Sequence, residues 1–199
     1  MEYRVRVATR RDVPGIVLVH VRSFPGFFLT FLGSRFLAAL YLGIIEHGEG
    51  IAYVAETEQI MVGFVAGSVE PRGLYRQLLK RRWWRFGIAA AGAAVRRPRI
   101  IPRLLRALAK PSEEEEHEGA ALLMSLAVDP QAEGQQVGSS LVKAFRTAAK
   151  ARGARNVVLT TDRDDNERAN RFYQANGFRI ARSFVTPEGR AMNEYICNL

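Results

Sequence analysis

Residues 125–141 combine residue types that can bind a phosphate group. The stretch reads Ser-Leu-Ala-Val-Asp-Pro-Gln-Ala-Glu-Gly-Gln-Gln-Val-Gly-Ser-Ser-Leu. An apolar strand over residues 121–128 is predicted to end before Pro130, which has no N–H for a sheet, and a helix over about residues 133–152 follows. The turn between them must expose backbone N–H groups at a helix N-terminus, where the peptide dipoles favour an anion. The stretch therefore predicts a cradle for a diphosphate group.

A second stretch, residues 166–178, makes the first more specific. It reads Asn-Glu-Arg-Ala-Asn-Arg-Phe-Tyr-Gln-Ala-Asn-Gly-Phe and follows an apolar, strand-like run at residues 157–160. In this order the two stretches resemble the GNAT family of N-acetyltransferases, whose acetyl-CoA loop reads roughly V-x-P-x-x-R/Q-G-x-G-[IV]-G-x-x-L and whose later helix reads N-x-x-A-x-x-[FL]-Y-x-x-x-G-F. The matching residues are Val128, Pro130, Gly134, Val137, Gly138 and Leu141 in the loop and Asn166, Ala169, Phe172, Tyr173, Gly177 and Phe178 in the helix.

The loop departs from the family pattern at two positions. Glu133 stands where arginine or glutamine is usual, and Gln136 replaces a glycine. A glutamate places a negative charge near a diphosphate, so either its side chain turns outward or the affinity is lower than the family norm. Because Gln136 replaces a glycine, the backbone at this position is expected to tolerate a side chain.

The resemblance implies an acyltransferase that uses acetyl-CoA as cosubstrate and acetylates a primary amine. It also implies that Tyr173 is the catalytic acid beside the CoA sulfur, because a phenol with a pKa of ~10 is protonated at pH 7 and can donate to a thiolate. The alternative is that Tyr173 packs and only hydrogen-bonds the cofactor. The implied cofactor-binding residues are Leu126, Ala127, Val128, Gly134, Gln135, Gln136, Val137, Gly138, Ser139, Asn166 and Tyr173.

The general base and the acceptor stay open at this stage. Candidates for the base are Glu70, Asp129, Asp162 and a chain of water molecules. Relatives that acetylate protein N-termini place a glutamate where this chain has Thr161, and residues 189–195 look more like members that modify small molecules, amino sugars among them. A small-molecule amine is therefore expected, with a protein amine as the alternative. A catalytically weak module that binds CoA, a protein or a membrane is the competing function.

The elements that position these residues follow from hydrophobic periodicity and turn residues. They predict an α/β (α+β) fold like that of the GNAT family, with a mixed, mostly antiparallel sheet flanked by helices. The element order is β-α-α-β-β-insertion-β-α-β-α-β-β. Besides the elements above, strands are predicted at residues 4–8, 51–56, 60–69, 156–161, 178–185 and 190–197, and helices at about 9–21, 34–47 and 166–176. Glycines at positions 63 and 67 indicate a bulge or a close approach in the third strand.

The most apolar run, residues 24–45, is too interrupted to predict a membrane span. Pro25 and Gly33 break it, and Arg35 near its centre would cost about 2.5–3.5 kcal/mol in a bilayer. A loop over residues 24–33 and then a helix is the better interpretation. The resemblance implies that this region forms one wall of the acceptor site, and plain core packing is the alternative. The candidate wall residues are Phe24, Phe27, Phe28, Leu29 and Arg35.

A basic helical insertion is predicted between the third and fourth strands, over about residues 72–118. Residues 72–110 contain 12 Lys or Arg and no Asp or Glu, which exceeds the net charge of +9 for the whole chain. The insertion ends in an acidic loop at residues 111–119. Three interpretations stay open: a lid over the acceptor site, a peripheral contact with an anionic membrane, and a solvated basic face. No nucleic-acid partner is expected, because no recognition motif accompanies the charge.

Composition sets the remaining expectations. A chain of 199 residues that is 48% hydrophobic is expected to form a single domain over residues 1–199. A single cysteine, Cys197, excludes an internal disulfide and suits a reducing cytoplasm, and the first residues do not resemble a signal peptide. The three histidines are scattered without the spacing of a zinc site, so no metal is expected. Nothing in the sequence indicates the oligomeric state.

Overall fold

The computed structural model describes residues 2–58, 60–71 and 119–199, so the predicted insertion lies outside the described residues. The described strands are β1 (Arg4–Val7), β2 (Gly50–Glu56), β3 (Met61–Ser68), β4 (Ala120–Val128), β5 (Asn156–Asp162), β6 (Arg179–Val185) and β7 (Ala191–Asn198). The described α-helices are α1 (Val13–Ser23), α2 (Phe28–Phe31), α3 (Ser34–Glu46), α4 (Val137–Ala151) and α5 (Glu167–Ala175). Within this part of the chain, no helix has the length and apolar character needed to cross a bilayer.

The described strands form one seven-stranded sheet in the order β1-β2-β3-β4-β5-β7-β6. All neighbouring pairs are antiparallel except β4 and β5. The predicted mixed, mostly antiparallel sheet is therefore confirmed, and so is the closing hairpin, whose second strand inserts between β5 and β6.

The parallel ladder between β4 and β5 is short. It joins Ala120 to Asn156, Ala121 to Val157 and Leu122 to Val158, and then stops. Beyond this point β4 continues along β3 as far as Val128, while β5 continues along β7 as far as Asp162. The two strands therefore diverge, and a cleft opens in the middle of the sheet.

A β-bulge marks the place where the cleft begins. On the other edge of β4, Leu123 pairs with Gly67 and Ser125 pairs with Ala66, which leaves Met124 as an extra residue. A bulge bends its strand and increases the local twist. The bend directly follows the last parallel pair, at Leu122, so it turns the rest of β4 away from β5.

Gly67 in β3 permits a close approach at the same place, as the sequence predicts. A Cβ atom at this position would collide with the carbonyl oxygen of Leu122 and lie 2.8 Å from the Phe145 ring. The side chain of Phe145 on α4 is fully buried. Helix α4 can therefore pack tightly against the sheet beside the cleft only because residue 67 lacks a side chain.

Helices cover both faces of the sheet. One face packs against α1 and α3, with Ile16, Leu37, Ile44, Val54 and Phe64 among its buried residues. The other face packs against α4, whose Leu141 and Phe145 are fully buried with Val65 of β3. These apolar stripes are the source of the helical periodicity in the sequence.

Two local features differ from the sequence prediction. Helix α4 begins at Val137, later than predicted, because Gly134 and Gln136 have left-handed φ values of 77° and 60° that a helix cannot include. The predicted loop at residues 24–33 contains the short helix α2. The later start of α4 leaves a longer turn after β4 than the sequence indicates.

Candidate active site

The turn between β4 and α4 is the stretch for which the sequence predicts a diphosphate cradle. Its first half is fixed by Asp129, whose backbone N–H donates to Val62 O (2.8 Å) and whose carboxylate accepts from the Gln131 N–H (3.1 Å). The first backbone hydrogen bond of α4 joins Ser140 N–H to Gln136 O at 3.0 Å. The N–H groups of Val137, Gly138 and Ser139 precede that bond and so point out of the helix N-terminus. Three donors and the helix dipole thus converge at the end of the cleft.

Other atoms of the turn also fit a polar ligand. No atom lies within 4 Å of where a Cβ at Gly134 would be, so the turn is open there. The side-chain Oε1 of Gln135 is buried and lacks a hydrogen-bond partner among the described residues. Because a buried polar atom normally has a partner, it is suited to accept an N–H or O–H from a ligand. Gln136 fills a left-handed position that glycine favours, at a cost of about 1 kcal/mol.

Glu133 at the edge of the cradle forms an ion pair. Its Oε2 lies 2.6 Å from Nη2 of Arg168 in the first turn of α5, and both side chains are exposed. The carboxylate that departs from the family pattern is therefore turned toward a cation on the opposite side of the cleft.

The end of β4 forms one wall of the cleft. Leu126, Ala127 and Val128 pair with Val65, Phe64 and Gly63 of β3, and their other edge lies beyond the parallel ladder. Helix α1 holds this wall, because Ser23 Oγ donates to Val128 O (3.0 Å) and Arg22 pairs with Asp129 (3.1 Å). The carboxylate of Asp129, a candidate base, is thus engaged by a guanidinium and a backbone N–H.

Helix α5 and β5 form the opposite wall, where Tyr173 lies in an aromatic cluster. Its ring centroid is 5.3 Å from that of Phe172, 5.7 Å from Phe178 and 5.8 Å from Tyr195. Burial raises the pKa of Tyr173 to about 12. The phenol therefore keeps its proton throughout the physiological pH range.

Asn166 joins the end of β5 to α5. Its Nδ2 donates to Thr161 Oγ1 (2.8 Å) and to Asp162 O (3.0 Å). Both hydrogens of the amide are used in these contacts, so the carbonyl Oδ1 is the atom suited to accept a hydrogen bond from a ligand.

Asn170, one helical turn later, is a site residue that sequence reasoning missed. Its Nδ2 lies 2.9 Å from Asn166 O, 3.1 Å from Arg163 O and 3.2 Å from Asp162 O. Its Oδ1 accepts from the hydroxyl of Tyr195, which is fully buried, at 2.9 Å. The spacing of four residues from Asn166, which places both amides on one helix face, was the available signal.

The other two candidate bases are Asp162, which is bound by an arginine, and Glu70, which lies far from the turn before α4. Arg190 binds both carboxylate oxygens of Asp162 at 2.7 Å. Glu70 is exposed beyond the end of β3 where Ser68 pairs with Leu122, whereas Val128 at the cradle pairs with Gly63 at the other end. The carboxylate of Asp162, at the end of β5, is thus held by a guanidinium. Glu70 lies at the opposite end of β4 from the turn.

Only some of the side chains predicted to form the acceptor wall are exposed to solvent. Phe27 is 47% exposed and Arg35 is exposed, whereas Phe24 and Leu29 pack against the core beneath α1 and α3. The rings of Phe24 and Phe27 lie 5.1 Å apart. Phe28 begins α2. The exposed part of the wall is therefore the turn between α1 and α2, together with the start of α3.

A buried histidine lies beneath this wall, and no sequence pattern singles it out. His20 Nδ1 is 2.6 Å from the hydroxyl of Tyr41, which also bonds the Ser125 side chain in the β4 bulge. Burial lowers the pKa of His20 to about 4, so the ring is neutral at pH 7. Its Nε2 has no partner among the described residues. The His20–Tyr41–Ser125 chain links α1, α3 and β4.

No group of three or more His, Cys, Asp or Glu residues suited to a metal ion occurs in the described ranges. The lone thiol, Cys197, is buried in β7.

A sheet that splits beside a helix N-terminus, with a tyrosine on the facing helix, defines the N-acetyltransferase class of fold. The family model described as the acetyltransferase (GNAT) family matches residues 20–178, and the chain belongs to this family. It is accordingly an acyltransferase. No curated protein matches the chain by sequence.

Solved structures share the fold at low sequence identity. An N-acetyltransferase from Staphylococcus aureus Mu50 is 15% identical, with a TM-score of 0.65. The match covers 100% of this chain and 99% of the S. aureus protein. The PaiA N-acetyltransferase from Thermoplasma acidophilum, in complex with coenzyme A, is 13% identical with a TM-score of 0.63 and full coverage of both chains. A ribosomal-protein-alanine N-acetyltransferase from Brucella melitensis is 14% identical with a TM-score of 0.65, covering 98% of this chain and 99% of its own.

Proposed function

We propose that this acyltransferase takes the acetyl group from acetyl-CoA and transfers it to the primary amine of a small molecule. The observation that carries the proposal is the cradle of backbone N–H groups at the start of α4, at the end of an open cleft. The donors suit a diphosphate, and the unpaired edge of β4 suits the amide groups of a pantetheine arm. A similar structure that contains coenzyme A supports this choice of ligand.

The residues that bind the cofactor have separable roles. The N–H groups of Val137, Gly138 and Ser139 bind phosphate, and Gly134, Gln135 and Gln136 shape the turn around it. Leu126, Ala127 and Val128 orient the pantetheine arm through their backbone groups. Asn166 offers its Oδ1 to the same arm, because its amide hydrogens already hold the end of β5. When bound, acetyl-CoA would supply the thioester that an amine attacks.

Tyr173 acts by donating a hydrogen bond from its phenol. Because burial raises its pKa to about 12, the phenol is protonated at neutral pH and can stabilise negative charge as it develops on the CoA sulfur. This hydrogen bond is the first part of the general-acid role that the resemblance implies.

The acceptor proposal rests on what β5 presents to the cleft. Thr161 occupies the position where relatives that acetylate protein N-termini carry a glutamate, and its hydroxyl accepts from Asn166. Asp162, the next residue, is bound by Arg190. Because neither residue offers a free carboxylate to a protein N-terminus, a small-molecule amine is favoured. The removal of the amine proton then falls to water or to the acceptor's own groups.

Calorimetric titration with CoA and with acetyl-CoA tests the proposal directly. We expect micromolar or tighter dissociation constants and a higher melting temperature with either ligand. Release of CoA thiol is then measured with polyamines, amino sugars and peptides with free N-termini. No binding of either ligand contradicts the proposal, acetylation of peptides alone contradicts its acceptor, and CoA binding without transfer to any amine favours a catalytically weak CoA-binding module.

Tyr173→Phe tests the role of the phenol. We expect turnover to fall by about 10- to 100-fold, the range of one lost hydrogen bond to a developing charge, with little change in CoA affinity. Tyr53→Phe, in β2 away from the cleft, is the matched control. Unchanged turnover in Tyr173→Phe would remove this residue from catalysis.

A further inference from the structure

The cradle contains no cationic side chain of its own. Residues 133–140 include a glutamate and two glutamines but no lysine or arginine. Among the described ion pairs, the one that reaches residues 133–140 joins Arg168 of α5 to Glu133 at 2.6 Å. A diphosphate at the N–H groups of α4 would therefore lie at the edge of this pair of a carboxylate and a guanidinium.

The packing of α5 fixes Arg168 beside the cradle. Phe172, one helical turn after Arg168 and on the same helix face, lies against Gly138, where a Cβ would be 3.0 Å from the ring. Gly138 carries one of the phosphate-binding N–H groups. The contact between Phe172 and Gly138 thus places the first turn of α5, which carries Arg168, beside these donors.

The Glu133–Arg168 pair is suited to exchange partners. Arg168 is 70% exposed and Glu133 is 38% exposed. Exposed ion pairs contribute little to stability, so separating this one has a small cost. A phosphate group accepts two parallel hydrogen bonds from a guanidinium, as a carboxylate does, and the diphosphate as a whole carries two negative charges.

We propose that Arg168 is the cation that binds a phosphate group of CoA, and that Glu133 is its counter-ion in the free protein. A phosphate replaces the Glu133 carboxylate on the guanidinium when the cofactor enters. The cation that the family pattern places in the loop is thus supplied by the facing helix. This inference rests on the proposed use of acetyl-CoA. It assigns a role in phosphate binding to Arg168, at a position that the helix motif leaves variable, and to Glu133, which departs from the loop motif.

Three variants test the exchange by calorimetric titration with CoA. Arg168→Gln is expected to weaken binding by about 10-fold, as for one lost hydrogen bond to a charged group. Glu133→Gln is expected to tighten binding by about 3-fold, because it removes a competing carboxylate. In the double variant with Arg168→Gln and Glu133→Arg, which returns a cation to the loop, affinity is expected to recover to within about 3-fold of the parent protein.

The control for a general charge effect is Arg171→Gln, an exposed arginine on the same helix. It removes the same charge and is expected to change the CoA dissociation constant by less than about 2-fold, since exposed charges at a distance are screened. Thermal unfolding of every variant without ligand checks that the fold is retained, as expected for exposed positions.

Dephospho-CoA identifies which phosphate group is bound, since it lacks the 3′-phosphate and keeps the diphosphate. If Arg168→Gln weakens CoA and dephospho-CoA equally, the diphosphate is the partner; if it weakens CoA alone, the 3′-phosphate is. Equal CoA affinities in Arg168→Gln and Arg171→Gln would overturn the inference while leaving the proposed function in place. Weaker binding by Glu133→Gln would overturn the counter-ion role, and no CoA binding by the parent protein would overturn both proposals.

Discussion

The two walls of the cleft are built by different means. The β4 wall is shaped by the backbone, through full pairing with β3, a bulge at Met124 and a left-handed turn at Gly134 and Gln136. The β5 wall is held by side chains, chiefly the amides of Asn166 and Asn170, which bind strand and loop carbonyls. Because the ladder between the walls has only three residue pairs, each wall needs its own support.

This difference indicates which kind of substitution damages each wall. On the β4 side, an added atom is harmful because backbone and helix are in close contact. On the β5 side, a removed hydrogen-bonding group is harmful because carbonyls and a buried hydroxyl lose their partner.

Gly67→Ala should have the largest effect, on the β4 wall. The new Cβ would overlap Leu122 O and press on Phe145, so we expect a loss of roughly 3 kcal/mol or more in the free energy of unfolding. Urea denaturation measures this loss. Gly48→Ala is the matched control, because no atom lies within 4 Å of its added Cβ. Equal stability of the two variants would contradict the close approach at the bulge.

Gly138→Leu should separate ligand binding from stability on the same wall. Leucine favours a helix more than glycine does, but its side chain would enter the space of Phe172 and the cradle. We expect CoA affinity to fall by at least about 100-fold, or ~2.8 kcal/mol, in calorimetric titration. Gly138→Ala should give an intermediate loss. Retained affinity in the leucine variant would mean that phosphate binds elsewhere.

Asn170→Ala should destabilise the β5 wall because it removes the hydrogen bonds of a side-chain amide. The change leaves the buried Tyr195 hydroxyl without its acceptor and removes the amide's contacts with three backbone carbonyls, so we expect a loss of about 2 kcal/mol in unfolding free energy. Gln174→Ala, exposed on the same helix, serves as the control. If both variants unfold at the same denaturant concentration, the asparagine network does not support this wall.

His20→Gln should have the smallest effect, visible as a change in pH dependence. The folded-state pKa of about 4 lies below the ordinary value of 6.5, so the unfolded chain binds more protons between these values and stability falls as pH falls. From pH 6.5 to 5 this loss amounts to roughly 1.5 kcal/mol. Urea denaturation at pH 7, 6 and 5 should show a flatter dependence in His20→Gln than in the parent protein or in His47→Gln. The same slope in all three proteins would contradict the assignment to His20.

Much of the fold could be predicted because its signals are local. Alternating and helical periodicity located the strands and the long helices to within a few residues, and Gly153 ends α4 with a φ of 84° as a helix-terminating glycine should. The start of α4 was placed too early, because apolar spacing does not reveal that Gln136 adopts a left-handed conformation. The short helix α2 was missed for the same reason: one turn of helix is too short for a periodic pattern.

At the candidate site, the features that the sequence does not reveal depend on partners distant in sequence. The turn after β4 and three of the clustered rings, those of Phe172, Tyr173 and Phe178, each lie within one short stretch of sequence. The contacts of Asn170 with Tyr195 and of Glu133 with Arg168 join residues more than twenty positions apart. Such pairs form only when the sheet order brings β7 beside β5 and α5 beside the cradle.

The sequence by itself determined that the chain has strands and helices in the GNAT order, a glycine-bearing turn before Val137 and a tyrosine on the later helix. Those properties follow from the chemistry and spacing of neighbouring residues. Only the tertiary structure decided where β4 leaves β5, which carboxylates are paired with arginines, and that His20 is buried and neutral. These properties depend on register, burial and the distance between remote side chains, because hydrogen bonds and ion pairs act over a few ångströms in space rather than along the chain.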